Sequence, residues 1–434
     1  MSDQLWAKNL PLDATVHAFT VGDDPLTDEG LLPFDIEGSA AHARMLGECG
    51  LVPLDQAKFL VRRLRELKDS RLTISKAEED CHTALEHALG EAGSRIHLAR
   101  SRNDQVQTAL RLLMRARLLD LGELFVNCAS EFVILAKKRW HAILPGYTHL
   151  RRAMPSAWGM WSASFAEALA EELEQLPALW LRINRSPLGA GAGFGAPAAI
   201  SRERTAELLG FDRVQRSPID VMNSRGRYEY AISAWIVSAA GTLEKAVWDL
   251  LIWSTDEFGF VRLPDAFTTG SSLMPQKRNP DVLELARGRC RELRGLAALI
   301  SQLAGGLPSS YHRDHQLLKA PFLQLVSKAW QLFAVMARVL PVLEIDERAS
   351  AAACTDEIFA AREACRVAEA GVPFREAYMR VAQQLQTKTF VAEPTSPSQI
   401  DLAPLERELE AHGAWIRQHR EFLANISTDL FAWT

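Results

Sequence analysis

Two hydroxyls beside a glycine, a lysine and an asparagine two residues apart, and a carboxylate five further on share one short stretch of this chain. It reads Gly270-Ser271-Ser272-Leu273-Met274-Pro275-Gln276-Lys277-Arg278-Asn279-Pro280, with Glu284 following. Gly270 frees the backbone, and Pro275 and Pro280 fix two points of it. Serines on such a loop, Ser271 and Ser272, can be carried to and from a ligand. Lys277 and Asn279 supply a positive charge and an amide donor, suited to a carboxylate that gains negative charge during a reaction. A second block, Gly146-Tyr147-Thr148-His149-Leu150, sets a histidine beside a threonine in a loop ahead of a long helix. Histidine is the side chain that moves protons near neutral pH. A third block, Ser101-Arg102-Asn103-Asp104-Gln105, precedes the helix of Val106. Ser101 or Asn103 suits the cap of that helix, and Arg102 with Asn103 at a helix start also suits a carboxylate ligand.

The elements that must position these blocks are helices. Trp158, Trp161, Phe165, Leu169, Leu173 and Leu176 step by three or four residues, with Glu167, Glu171 and Glu174 between them. Leu323, Val326, Trp330 and Phe333 repeat the pattern, as do Val106, Leu110 and Leu113. Residues 228–254 are apolar on nearly every side, as expected at the centre of a bundle or oligomer. Alternating runs are scarce, so the expectation is an all-α chain without a substantial sheet. Polar or glycine-rich breaks fall at residues 144–155, 186–200 and 262–280. The glycine run at 189–195 follows no strand and lacks an acidic partner, so it reads as a flexible turn between two long helices and not as a dinucleotide fingerprint. Joints at 346–353 and 394–398 suggest three domains: a mainly helical one over residues 1–103, a long-helix bundle over 104–345 and a small helical one over 346–434.

The 434 residues are 48% hydrophobic and 24% charged, an ordinary globular mixture. The net charge of −5, from 49 basic and 54 acidic residues, argues against a nucleic-acid partner. Residues 1–8 lack a basic-then-apolar leader, and no apolar run approaches about 18 residues, so no membrane partner is expected. Six scattered cysteines without close pairing look like reduced thiols and not a zinc site. These features together suggest a cytoplasmic protein.

The Gly270–Glu284 stretch matches the signature of the fumarase/aspartase superfamily, Gly-Ser-Ser-x-Met-Pro-x-Lys-x-Asn-x4-Glu, at every fixed position. Further blocks narrow the resemblance to the argininosuccinate lyase family over nearly the whole chain. They are Asp35-Ile36-Glu37-Gly38-Ser39-Ala40-Ala41-His42-Ala43, Glu79-Asp80-Cys81-His82-Thr83-Ala84-Leu85-Glu86 and the two blocks above. Glu257-Phe258-Gly259-Phe260-Val261, then Tyr311, Gln316 and Lys319, and Gly371-Val372-Pro373-Phe374-Arg375-Glu376-Ala377 complete the set.

The resemblance implies a homotetramer with a twenty-helix core of long central helices, and active sites built from three subunits. It implies cleavage of argininosuccinate into arginine and fumarate without metal or organic cofactor. Ser271 is then the base and His149 the acid, oriented by Glu284, although sequence leaves open which of the two takes the first proton. Lys277 and Asn279 stabilise the doubly negative aci-carboxylate; Arg102, Asn103, Thr148 and Ser272 hold the substrate. Tyr311, Gln316 and Lys319 grip the arginine end. His82 either lines the same site or packs on the Leu85 helix.

The chain departs from the family in places. The usual Trp-Gly-Gly-Arg-Phe reads Trp6-Ala7-Lys8-Asn9-Leu10, and a serine expected shortly before Asp35 falls in Gly22-Asp23-Asp24. Ser-Asp-Arg-Asp-Phe reads Ser224-Arg225-Gly226-Arg227-Tyr228, and two customary glutamines are Arg151 and Met154. The Asp23-Asp24 pair suits a guanidinium or is a solvated turn. Two alternatives accompany the main reading: a lyase releasing fumarate from another substituted succinate, such as adenylosuccinate, and a non-catalytic, crystallin-like relative.

Overall fold

The computed structural model describes residues 13–70, 72–75, 78–393, 395 and 397–433. The opening segment, with the departure at Trp6 to Leu10, and Pro394 and Ser396 of one expected joint lie outside the described residues. The described residues begin with α1 (Ala14–Val21), α2 (Asp24–Asp28), α3 (Leu32–Glu48), α4 (Leu54–Asp69) and α5 (Cys81–Leu89). It continues through α6 (Arg102–Lys138), the hairpin of β1 (Ile143–Thr148) and β2 (Arg151–Ala157), α7 (Trp158–Glu174) and α8 (Leu176–Ile183). After α9 (Arg227–Trp253) come the two-residue strands β3 (Thr269–Gly270) and β4 (Arg278–Asn279), then α10 (Asp281–Ala304) and α11 (Lys319–Val339). The last long elements are α12 (Ala360–Glu369), α13 (Phe374–Gln386) and α14 (Ala403–Phe431). The expected all-α architecture is what the chain adopts; among the described residues its strands occur only as four two-stranded pairs.

α6 runs 37 residues, roughly 55 Å at the usual rise, and is the mast of the molecule. Ser101 caps it: its hydroxyl accepts the Asn103 amide at 3.3 Å while Asp104 accepts the Ser101 amide at 3.0 Å. Ser101, and not Asn103, is therefore the cap, and Lys137 and Lys138 sit in the last turn, where they suit the helix dipole. α7, α9, α11 and α14 pack along α6 or against one another, and α10 lies across α9 and α11. Phe125, at the middle of α6, is fully buried between Trp235 of α9 (ring centres 4.6 Å) and Phe333 of α11 (4.3 Å).

Arg111 and Arg115 are buried in this apolar setting, which spacing alone did not suggest. Arg111 donates to the Arg185 carbonyl, Gln215 and Ser224, and Arg115 to Asn184 and the carbonyls of Leu209 and Gly210. They fasten the segment of short helices and strands between α8 and α9 to the mast. Burial pushes both guanidinium pKa values down to about 10, so both stay charged near neutral pH.

One stretch does exceed the apolar length expected from the sequence. Arg313–Val342 holds an 18-residue window of mean hydropathy 1.3, long enough to cross a membrane. Its Phe322, Leu325, Phe333 and Met336 are fully buried in the main core, which is how an interior helix of a bundle earns such a composition. A separate small core of Ile358, Phe359, Ala364, Val381 and Phe390 holds α12 and α13 together.

Candidate active site

β3 and β4 pair antiparallel, Thr269 opposite Asn279 and Gly270 opposite Arg278, so the serine-bearing loop is the tip of a short hairpin. At that tip the Ser271 hydroxyl oxygen accepts the backbone amides of Leu273 (3.3 Å) and Met274 (3.1 Å). Two N–H dipoles aimed at one oxygen lower the cost of placing negative charge there. Ser271 is half-buried, whereas Ser272 and Leu273 are exposed, so the loop is open on one side. Lys277, Asn279 and Glu284 line a common cleft of about 1030 Å³ beside the end of α9. Glu284 stands in the first turn of α10, with Arg287 at 3.9 Å.

His149 is not in a loop before a helix, as its surroundings suggested; it is at the tip of the β1–β2 hairpin. Thr148 pairs with Arg151, leaving His149 and Leu150 as a two-residue turn with φ of 52° and 59°. A turn of this kind favours Asn-Gly, and each non-glycine residue held there costs about 1 kcal/mol or more. The hairpin is also bulged between Pro145 and Tyr147, and a Cβ on Gly146 would lie 2.9 Å from the Met154 carbonyl. Thr148 and His149 are exposed. Among the described residues, no hydrogen bond or ion pair within the chain joins His149 to Glu284.

The remaining candidates gather around the start of α6. Arg102 donates to the Thr83 hydroxyl at 2.7 Å and lies 3.2 Å from Asp80 and 3.6 Å from Glu79. Asn103 beside it is half-buried. Asp104 accepts the amides of Gly189 (2.9 Å) and Gly191 (2.8 Å), so the glycine run is tied to the mast. It also follows the short α8 and does not join two long helices. Burial pushes the Asp104 carboxyl up to about 6, against the pull of the amides it accepts.

His82 is buried with Nδ1 2.8 Å from Asp35, whose two oxygens also accept Gln105 at 2.9 and 3.1 Å. Burial acts to lower the His82 pKa and raise that of Asp35, but the pairing wins: His82 is raised and Asp35 lowered. The Cys81 thiol adjoins them, and the three donors lie within 4.8 Å of one another, as around a metal ion. His82 and Gln105 both donate to Asp35, and the Cys81 thiol lies 3.9 Å from the same Asp35 oxygen that meets His82.

Lys319, buried at the start of α11, is bound to Asp28 (2.6 Å) and Asp24 (3.2 Å). Gln316 donates to the carbonyls of Thr20 (3.0 Å) and Val21 (3.5 Å). Tyr311 packs with Val221 and Met222. Asp24, Asp28, Asp35 and Asp104 thus adjoin the candidate residues; of these, Asp24 was weighed from sequence as half of a pair suiting a guanidinium, and the other three were not singled out. The only available signal was the presence of Asp35 and Asp104 inside family-like blocks, and of Asp24 inside a departure.

The chain brings its candidates together in groups, not in one place. The Ser271 hairpin and Glu284 sit where α10 begins; Tyr311, Gln316 and Lys319 sit beyond where it ends, about 36 Å away along its 24 residues. The His149 hairpin follows the far end of α6, which starts at Arg102.

Comparison with known proteins gives this arrangement a family. A family model described as "Lyase" matches residues 23–295. The argininosuccinate lyase of Sorangium cellulosum is 40% identical over 395 residues, covering 89% of this chain and 91% of that protein. That of Thermotoga neapolitana is 37% identical over 392 residues, covering 88% and 98%. The chain belongs to the argininosuccinate lyase family. Its fold is also that of EDDS lyase solved with formate (TM-score 0.75, 22% identity, 98% of this chain and 94% of that one). The class II fumarase of Schistosoma mansoni shares it too, with TM-score 0.74 at 14% identity over 87% and 91% of the two chains.

Against the argininosuccinate lyase pattern, the arginines at 225 and 227 now have places. Arg225 is buried and donates to the His315 carbonyl at 2.8 Å, so it props the segment carrying Gln316 and Lys319. Arg227 is exposed and pairs with Asp220 at 3.0 Å. The departure at Asp23-Asp24 splits: Asp23 is exposed and Asp24 meets Lys319.

Proposed function

We propose that the chain cleaves argininosuccinate into L-arginine and fumarate. What carries this is family membership across about nine-tenths of the chain, joined to a Ser271 oxygen already met by two backbone amides. In the proposed reaction Ser271, held as its alkoxide by the two backbone amides, takes the proton from the carbon beside a succinate carboxylate and becomes the neutral hydroxyl. The electron pair spreads onto that carboxylate, where Lys277 and Asn279 face the growing charge. The carbon–nitrogen bond then breaks and His149 protonates the departing guanidino nitrogen, with Glu284 orienting the imidazole. Arg102, Asn103, Thr148 and Ser272 hold the carboxylates of the fumarate half. Tyr311, Gln316, Lys319 and His82 line the leaving-group end.

Since these groups lie at opposite ends of helices in one chain, we propose that the site is completed by other copies, in a homotetramer whose sites each use three subunits. Large apolar side chains exposed along the bundle, Leu285 (74% exposed), Leu299 and Trp330, support burial between copies. A cytoplasmic setting fits the balanced charge and the six free cysteines.

The test is product analysis. Purified protein incubated with argininosuccinate, and in parallel with adenylosuccinate, is expected to yield fumarate and arginine from the first and nothing from the second. Fumarate from adenylosuccinate alone would replace this reading with the related lyase.

A further inference from the structure

The β1–β2 hairpin carries a charged side chain that the proposed reaction leaves unused. Thr148 and Arg151 are the last pair of its ladder and face each other directly across the turn of His149 and Leu150. Residues opposed in this way hold their Cβ atoms about 4.5–5.5 Å apart on one face of the ribbon. Tyr147 and Arg152, the preceding pair, occupy the other face. The Tyr147 ring meets that of Phe258 edge-on, with centres 6.1 Å apart, so that face turns toward the body of its own chain. The face of Thr148 and Arg151 turns away from it, and both residues are exposed.

The two arginines are employed differently. Arg152 lies within electrostatic reach of Cys354 and Glu357 of its own chain. Arg151 has neither a hydrogen bond nor an ion pair among the described residues. The turn holds His149 and Leu150 at φ of 52° and 59°, so a defined two-residue link separates Thr148 from Arg151 and sets the imidazole between them. A threonine hydroxyl offers one donor to a carboxylate, whereas a guanidinium offers two parallel N–H groups and a full charge. A carboxylate resting on Thr148 therefore lies beside an unspent guanidinium.

We propose that Arg151 binds the same substrate carboxylate as Thr148, as its bidentate partner, when the hairpin reaches the site of a neighbouring copy. This rests on the proposed elimination and on sites shared between subunits. The family pattern has a glutamine at this position, which can donate but carries no charge. Because the carboxylate is present before and after the proton is removed, the added contact tightens capture of the dicarboxylate half and leaves the chemical step alone.

The test is steady-state turnover of argininosuccinate with fumarate and succinate as competing ligands, in wild type, Arg151→Gln, Arg151→Lys and Arg152→Gln. Arg151→Gln is expected to raise KM and both inhibition constants by about tenfold or more, with kcat within about threefold of wild type and an unchanged melting temperature. Arg151→Lys should recover part of the loss, since it keeps the charge and lacks the planar fork. Arg152→Gln, on the opposite face, should leave the fumarate constant within about twofold of wild type. Unchanged fumarate and succinate constants in Arg151→Gln, a fall in kcat at constant KM, or an equal effect of Arg152→Gln would each overturn the proposal. Failure of the elimination reading would show separately, as absence of fumarate from argininosuccinate with wild type. Calorimetric binding of succinate to wild type and Arg151→Gln would then still decide whether Arg151 takes a carboxylate, equal affinities overturning it.

Discussion

At the scale of single residues, the account depends on how Ser271 and His149 are presented. The two amides at the Ser271 oxygen lower the cost of its ionisation, which the serine needs before it can accept a proton. Ser271→Ala is therefore expected to reduce kcat by at least about 100-fold with an unchanged melting temperature. His149→Asn is expected to reduce kcat by about 10²–10⁴-fold, and a rate within twofold of wild type would remove His149 from the mechanism. The buried His82–Asp35 pair carries a pH signature. Raised His82 contributes stability that is complete below its unfolded value of about 6.5 and is lost as pH rises through its folded value. Lowered Asp35 contributes stability that is present above about 3.9 and is lost as pH falls through its folded value. Urea unfolding of wild type and Asp35→Asn should thus differ most near pH 6 and converge toward alkaline pH; a gap constant to pH 10 would contradict this. The motifs made most of the candidate residues visible. Asp28, Asp35 and Asp104 were not visible in this role, because an acidic side chain becomes a positioning group only through the amides and cations that folding brings to it.

At the scale of elements, spacing exposed the long helices because their apolar stripes are dictated by one period. Residues 228–254 were read as a buried helix, and α9 is that helix. The β1–β2 hairpin escaped notice since its turn, His149-Leu150, lacks the glycine or asparagine that usually announces two positive φ values. The bond between Asp104 and the glycine run was hidden for a similar reason, as its partners are 85 and 87 residues apart. Gly226 was read only as part of a changed charge pattern, yet it starts α9 with φ of 82°, and a Cβ there would lie 2.3 Å from that of Ala304. Gly226→Ala is expected to cost about 1–3 kcal/mol in thermal or urea unfolding, and to raise KM by shifting the neighbouring Lys319 segment. A variant as stable as wild type would show that this junction yields freely.

At the scale of the whole molecule, the separation of the candidate groups along α6 and α10 is the decisive fact. A single chain with Ser271 and Lys319 roughly 36 Å apart along α10 cannot bring both to one substrate of amino-acid size. Mixing and refolding inactive Ser271→Ala and His149→Asn chains together should restore activity, because some sites would then draw an intact serine and an intact histidine from different copies. No recovery from a mixed, native-sized oligomer would mean that both residues come from one chain. The family resemblance implied sharing between subunits, but where each block ends up depends on the course of the chain through turns that no period encodes.

The central claim is best tested by the initial rate of fumarate release from argininosuccinate, followed by ultraviolet absorbance with wild type and Ser271→Ala side by side. The account predicts steady release by wild type and none above background by the variant at equal oligomeric state. Silence from well-folded wild type, or equal rates from both proteins, would contradict it.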